Sequence, residues 1–574
     1  MSAEIKIDKR SVKMFLKNED EPICEGFLIP AYQRPYAWGE DQVITLFDDI
    51  WEFAIDEGGF KNKNATYFLG SIVLYKNEKR KVLEIIDGQQ RMTSFCLLLR
   101  ACYTKLEHED DDQAKHLCHQ IEEALWTQDI ETGKVDKKQP RFTSDVISDE
   151  GNKIISAILS TGVASDKARD RYSLNYRKFQ ELIERNAKAH PLCLGNFIHA
   201  VLNQAIVLPI TAATQDTALT IFSTLNNRGL PLSDADIFKA NLYSQQGNDP
   251  NACGAFIKLW QALEERAERV SETMQSLFNY AMFVLRARSG DHKTTTPGVR
   301  KYFLDEKMKM IYTPGLLDLI GSILDLCEVT NKWIKHEDEP WTADVGILKQ
   351  LDILKAYPNE FWKYPVIMFY VTHNKNAEFQ TAFQAFLKRL TALLVLRYIK
   401  SPTVNAIKGD VLKLNEAIKD SIRPSFPEPD TKDINSPELV QQLIEPHPKI
   451  VRMLLKMLAY QKQNELLPAD WEIEHILPQK WEKGYFKASD EEVRKKVEHL
   501  GNKMPLEKLN NIRASNGFFS KKLEEYKTSK IALVKDVMFY QKWGLDEIGI
   551  RDVRVADDVI NSFKAWVTEY AKGG

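Results

Sequence analysis
Between residues 41 and 56, apolar side chains fall at Val43, Leu46, Phe47, Ile50, Trp51 and Ala54, with acids and amides between them. Steps of three and four put them on one face, so the spacing predicts an amphipathic helix. Two short apolar runs follow, Tyr67–Tyr75 (YFLGSIVLY) and Val82–Asp87 (VLEIID), parted by the polar stretch KNEKR. Runs of that length around a polar turn predict a β-hairpin. After Asp87-Gly88 the pattern turns helical through MTSFCLLLRACYTKL. The DGQQR segment, residues 87–91, therefore lies where a strand passes into a helix. Unpaired N–H groups and the helix dipole favour an anion at such a junction.

Farther on, the polar stretches Glu107–Asp112 and Thr127–Gly151 read as loops or an insertion. Residues 172–205 read as helix and Ile206–Thr211 as a strand. A helix, a tight NNRG turn and a second helix should follow, the last with Ser233 as N-cap and Asp234 and Asp236 in its first turn. From 250 to 420 the pattern is nearly all helical, most clearly at Phe379–Ile399. Pro424, Pro427, Pro429 and Pro437 among charges mark a linker. These patterns predict an α+β, predominantly helical fold with units at 1–245, 246–423 and 438–574.

A chain of 574 residues, 44% hydrophobic and 28% charged, is long enough for several cores. No apolar run approaches the roughly 18 residues of a membrane span, so no membrane partner is expected. The opening MSAEIKIDKRSVK lacks the apolar stretch of a signal peptide, and a cytoplasmic location is expected. The seven cysteines form no CxxC pair, and the odd count suits reduced thiols. A net charge of −3 excludes a uniformly basic DNA-coating protein. Over residues 471–535, however, Lys and Arg outnumber Asp and Glu by 14 to 10. Contact with a phosphate backbone would use such a bias, though a solvated face carries it too.

Two segments carry chemistry. In DGQQR, Gly88 allows close backbone approach, Arg91 can take a phosphate through two N–H groups, and Asp87 can hold a metal or polarise water. No GxxxxGK[ST] loop is present, so a nucleotide would not be bound in the P-loop manner. In the second segment, WEIEHILPQ, an acid-histidine pair (Glu474-His475) precedes a proline turn at Pro478, and HLGNKMPLEKLNNIRASNGFFSKK follows.

Together with IPAYQRPYAW (Ile29–Trp38), these segments resemble the GmrSD-type modification-dependent restriction enzymes. There a ParB/sulfiredoxin-like nucleotide-binding domain precedes an HNH, or ββα-metal, nuclease domain. The resemblance is specific at both ends and loose in the middle. It implies that His475 is the general base and Glu474 a metal ligand, where many HNH enzymes have Asp. Asn502 would brace the loop. Asn511 would sit on the metal side, with Asn510 one register away. Asn516 and Lys521 would serve as structural bond-maker and phosphate contact. Oxygen ligation implies Mg²⁺ or Mn²⁺.

In the N-terminal part the resemblance implies binding and hydrolysis of an NTP (GTP, ATP or CTP) at Asp87, Gly88, Gln89, Gln90 and Arg91. Gln33 and Arg34 would converge on them. Thr93 would assist there or only back-bond in its helix. Asn226, Arg228 and Lys239 would lie near the same pocket, or else merely form a turn and a capped helix.

Other features read as structural. Tyr32, Tyr36 and Trp38 are expected in the core rather than as a nucleobase platform, and His499 on the surface of its helix. His116, Cys118 and His119 have the wrong spacing for a four-ligand zinc site.

The function implied is a nucleotide-regulated, divalent-metal-dependent endonuclease acting on modified double-stranded phage DNA, as in type IV restriction and antiphage defence. One metal site cuts one strand, so a double-strand break calls for two events or a homodimer. Two other readings are a nucleotide-switched DNA-binding protein with an idle HNH fold and an RNA-cleaving abortive-infection effector.

Overall fold
The computed structural model describes residues 5–18, 24, 26–30, 32–56, 59–61, 64–128, 134–146, 151–214, 217–218, 220–222, 234–247, 249–305, 307–427, 434–481 and 488–572. The chain is α+β and mostly helical. It divides into two compact units, Met1–Ala262 and Leu263–Gly574. Among the described residues no helix is long and apolar enough to cross a membrane.

The first unit contains β1 (Ile5–Ile7), β2 (Arg10–Ser11), β3 (Phe27–Ile29), β4 (Ile55–Asp56), β5 (Gly59–Phe60), β6 (Tyr67–Asn77), β7 (Val82–Asp87), β8 (Trp126–Gln128), β9 (Val135–Pro140), β10 (Phe142–Ser144) and β11 (Ala205–Ala212). The main sheet runs β1-β11-β6-β7-β3-β10, with β2 also on β11. The expected hairpin is β6 against β7, antiparallel, with Tyr75 opposite Glu84. β3 lies parallel to β7, and β11 parallel to β6.

Alternation along β7 separates the two faces of the sheet. Leu83 and Ile85 join a core with Ile72, Leu74 and the Gln89–Leu106 helix. Ile86 and Val73 join Tyr32, Ala212 and Phe222 on the other side. The Gln89–Leu106 helix is buried almost all round. Its neighbours include the Asp112–Leu125 and Arg171–Ala189 helices. The helix at Glu40–Ala54 is the one the spacing predicts.

Part of the polar stretch at 127–151 is not loop. β8 pairs with β9, and β10 joins the main sheet parallel to β3. Only Phe142 of β10 is buried, so the backbone hydrogen bonds define this strand and its pattern carries little apolar signal. The NNRG turn with Asn226 and Arg228, and the proposed cap Ser233, lie outside the described residues.

The second unit begins with helices such as Met274–Arg288, Phe379–Lys400 and Pro448–Tyr460. A two-stranded sheet follows, β12 (Trp471–His475) antiparallel to β13 (Lys503–Glu507), with Glu474 opposite Met504 and His475 opposite Lys503. Helices Lys508–Ala514 and Phe519–Lys527 come next. The chain then forms a 28-residue helix, Leu545–Lys572. Near its start, Arg551 and Asp552 reach the turn before β13. Near its end, Glu569 pairs with Lys388, and Tyr570 donates to the carbonyl of Pro424.

Candidate functional site
In the second unit the candidate chemistry is assembled on β12, β13 and the turns around them. His475 ends β12 with 18% of its side chain exposed. Its Nε2 lies 3.3 Å from Gln479 Nε2 and 3.6 Å from Glu498 Oε1. Burial lowers the imidazole pKa; Glu498 works against the shift, and Lys503 and Lys522 add to it. The shift favours the neutral ring, the form that can accept a proton. Burial raises the Glu498 carboxyl, but bonds from Lys503 and Gln479 outweigh it and bring the group down to about 2.

Asn502 is fully buried and spends its whole amide on the turn after His475. Its Oδ1 accepts from Leu477 N at 2.8 Å and from Trp543 Nε1 at 3.0 Å. Its Nδ2 donates to the carbonyls of Leu477 and Val497, each at 2.9 Å. It positions the loop and has nothing left over for a substrate.

The turn before β13 is locked from the long C-terminal helix. Arg551 Nη1 donates to the carbonyls of Gly501 at 2.6 Å and Lys503 at 2.9 Å. Asp552 accepts from Gly501 N at 2.9 Å and bonds His499 Nδ1 at 2.6 Å. A Cβ on Gly501 would come within 2.4 Å of Asp552 Oδ1, so only glycine fits this approach. His499 is thus not a surface residue: it is 8% exposed. The reason is Asp552, a partner 53 residues away that local periodicity does not reveal.

Glu474 lies in a buried cluster. Its Oε1 accepts from Lys522 Nζ at 2.7 Å and from Tyr526 Oη at 2.6 Å. Lys522 also donates to the carbonyl of His475 at 2.6 Å. The side chains of the ion pair are 4% and 1% exposed. Burial raises the Glu474 carboxyl and lowers the Lys522 ammonium, and each partner opposes the other's shift. Lys521, by contrast, is exposed, as is Asn516. Lys522 and Tyr526, four residues apart, share the inward face of their helix. That spacing was the signal for them.

In the first unit, DGQQR meets the YQRPYAW loop. Gly88, at φ 93°, is the left-handed N-cap of the Gln89–Leu106 helix. Gln33 Nε2 donates to the carbonyl of Ile86, and Gln89 Nε2 donates to Gln33 Oε1, both at 3.0 Å. Gln90 accepts from Ala37 N and donates to the carbonyl of Pro35. The three glutamines therefore tie two loops together, whereas Asp87, Arg91 and exposed Arg34 take no part in that network. Burial raises the Asp87 carboxyl, opposed by Arg91 and Arg34. Arg91 donates to the carbonyl of Ser71 at 3.2 Å and passes over Gly70, where a Cβ would lie 2.7 Å from Nη1.

Thr93 back-bonds to the carbonyl of Gln89. Tyr32 and Tyr36 are buried, Tyr36 against Ser94. Lys239 is buried with its ammonium 5.9 Å from the Trp260 ring centroid.

Residues 12–243 match the GmrSD restriction endonuclease N-terminal domain, and residues 430–556 match the GmrSD restriction endonucleases C-terminal domain. The chain belongs to the GmrSD restriction endonuclease family. That makes it a nuclease with DNA as its substrate. No curated protein matches the chain.

A divalent ion in this GmrSD chain can be tested against the donors present. Among the described residues no three His, Cys, Asp or Glu side chains cluster as a metal site. Two oxygen donors nevertheless suit a hard cation. Glu474 Oε2 accepts no hydrogen bond among the described residues, since Lys522 and Tyr526 both use Oε1. Asn510 and Asn511 are both half-buried on the Lys508–Ala514 helix, which packs on β12, and Asn510 donates to Thr528 at 3.2 Å. One carboxylate and one amide oxygen fit Mg²⁺ or Mn²⁺, which keep waters and take phosphate oxygens in their other positions.

Proposed function
We propose that this chain is a nucleotide-regulated, divalent-metal-dependent endonuclease of the HNH (ββα-metal) type that cuts modified foreign DNA. The observation that carries the reading is His475: a largely buried imidazole at the end of β12, its pKa lowered by that burial and its following turn fixed by Asn502. With Nε2 turned toward Glu498, Nδ1 takes the proton of an attacking water. The water oxygen forms a bond to phosphorus, the bond from phosphorus to the 3′-oxygen breaks, and that oxygen leaves protonated from solvent. Glu474 and Asn511 would hold the metal ion, which when bound supplies Lewis-acid stabilisation of the phosphate charge. Lys522 fixes Glu474 and the His475 carbonyl in one geometry. In the N-terminal unit, which adopts a ParB/sulfiredoxin-like role in this reading, Arg91 and Arg34 take the phosphates of an NTP and Asp87 polarises the water that hydrolyses it.

His475→Ala should abolish cleavage of phage DNA carrying hydroxymethylated or glucosylated bases, with the circular dichroism spectrum and nucleotide hydrolysis unchanged. Persistent cutting by that variant would refute the assignment. Engagement of Glu474 by Lys522 and Tyr526 favours one rival, a DNA-binding protein whose nuclease fold is idle. A plasmid assay with Mg²⁺ or Mn²⁺, with and without GTP, ATP or CTP, decides between them, because the rival yields no nicked product under any condition.

A further inference from the structure
The face of the sheet away from the Gln89–Leu106 helix carries a cavity of about 1120 Å³ that the reading above leaves without a role. It lies wholly within the first unit. Its floor is formed where β6 and β7 pair, at Tyr75, Asn77 and Glu84, and its wall includes Tyr243. Tyr32 lines it as well, with its ring centroid 5.6 Å from that of Tyr243.

Glu84 is the feature that folding does not explain. It is 6% exposed, on a strand whose neighbouring positions are apolar. Buried carboxylates are normally paired with a cation. Here Oε1 accepts only from Asn77 Nδ2, at 2.7 Å, and Oε2 accepts nothing among the described residues. The nearby guanidinium, Arg80, is bonded instead to Asp145 at 2.6 Å on the cavity wall. A leucine at 84 would cost the fold less. Asn152 also lines the cavity, and its Oδ1 is a shielded acceptor without a partner.

We propose that this cavity binds a nucleobase bearing an exocyclic amino group, with Glu84 accepting from that amino group and the tyrosines packing against the base. The chemistry of each part agrees. A carboxylate accepts from the amino groups of cytosine, adenine or guanine, whereas thymine offers no amino donor. Aromatic walls stack on any base face. The volume leaves room for a whole nucleotide. Lys79 and the half-exposed Arg80 stand on the rim, where a phosphate attached to the base would emerge. The base can come from a free nucleotide or from a nucleotide turned out of the DNA strand. Neither Asp87 nor Arg91 lines this cavity.

The test is calorimetric titration of the full-length His475→Ala chain with dGMP, dCMP, dAMP and dTMP. A parallel arm uses short duplexes presenting each base opposite an abasic site. In at least one arm, one or more amino-bearing bases should bind about tenfold tighter than thymine. Glu84→Leu, which has no acceptor, should erase that preference, Tyr243→Ala should weaken binding of the preferred base, and Arg91→Ala should leave both intact. The arm that shows the preference identifies the source of the base. Equal binding of all four bases in both arms overturns the proposal, as does a preference that survives Glu84→Leu. Loss of the preference in Arg91→Ala with retention in Glu84→Leu would assign it to the Asp87 pocket instead. Because the chain tested does not need to cut, failure of the nuclease reading leaves these outcomes readable.

Discussion

Lys522 keeps an ammonium group inside the protein, against Glu474 and the His475 carbonyl. Removing one partner of such a pair leaves an uncompensated buried charge, at a cost of about 3–5 kcal/mol. Urea unfolding of Lys522→Met should show a loss of that size, whereas Lys521→Met should stay within about 0.5 kcal/mol of the native chain. The double variant Glu474→Gln/Lys522→Met should be more stable than Lys522→Met alone, because no orphan charge remains. Which of two adjacent lysines turns inward depends on the starting point of the Phe519–Lys527 helix, and composition does not reveal it. Glu84 yields a pH prediction. Burial raises its carboxyl pKa; Asn77 and Arg80 oppose this and Asp145 adds to it. A carboxyl with a raised folded pKa contributes stability below its unfolded pKa and loses it as pH rises through the folded one. Thermal melts should therefore show Glu84→Gln gaining on the native chain as pH rises from about 4 to about 7.5.

Elements decide how rigidly these residues are held. Asp552→Ala would strip partners from His499 Nδ1 and Gly501 N at once. Each buried group left unsatisfied costs about 1–3 kcal/mol, so this one change should destabilise the second unit by several kcal/mol in a denaturant titration. The cleavage rate should fall with it, since the same turn presents Asn502. Gly70 plays the matching part in the first unit: at φ 110° and under Arg91 it has room for no side chain. Gly70→Ala should displace Arg91 and weaken nucleotide binding while the chain still folds, at a cost of about 1–3 kcal/mol. The β6–β7 hairpin and the Glu40–Ala54 helix were legible because apolar periodicity fixes them. β10 was not, since a three-residue strand with one buried side chain carries no period. The bracing by Arg551 and Asp552 was hidden for another reason: it joins residues about fifty positions apart.

At the scale of the whole chain, family membership accounts for the restriction endonuclease, and the proposed reading gives the two units separable chemistry. Arg91→Ala should diminish the response of DNA cleavage to added nucleotide, measured as the ratio of rates with and without NTP. His475→Ala should leave nucleotide hydrolysis at its native rate. The ends of the chain were readable because motif residues cluster in sequence there. The cavity over Glu84 was not, since its walls come from strands and helices far apart in the chain.

The long closing helix has one more consequence. At about 1.5 Å per residue its 28 residues extend about 42 Å. It grips the Gly501 turn at one end and Lys388 and Pro424 at the other. Between those ends it packs on the Phe379–Lys400, Pro437–Ile444 and Pro448–Tyr460 helices, so one continuous element braces both the turn that carries Asn502 and the segment around Pro424.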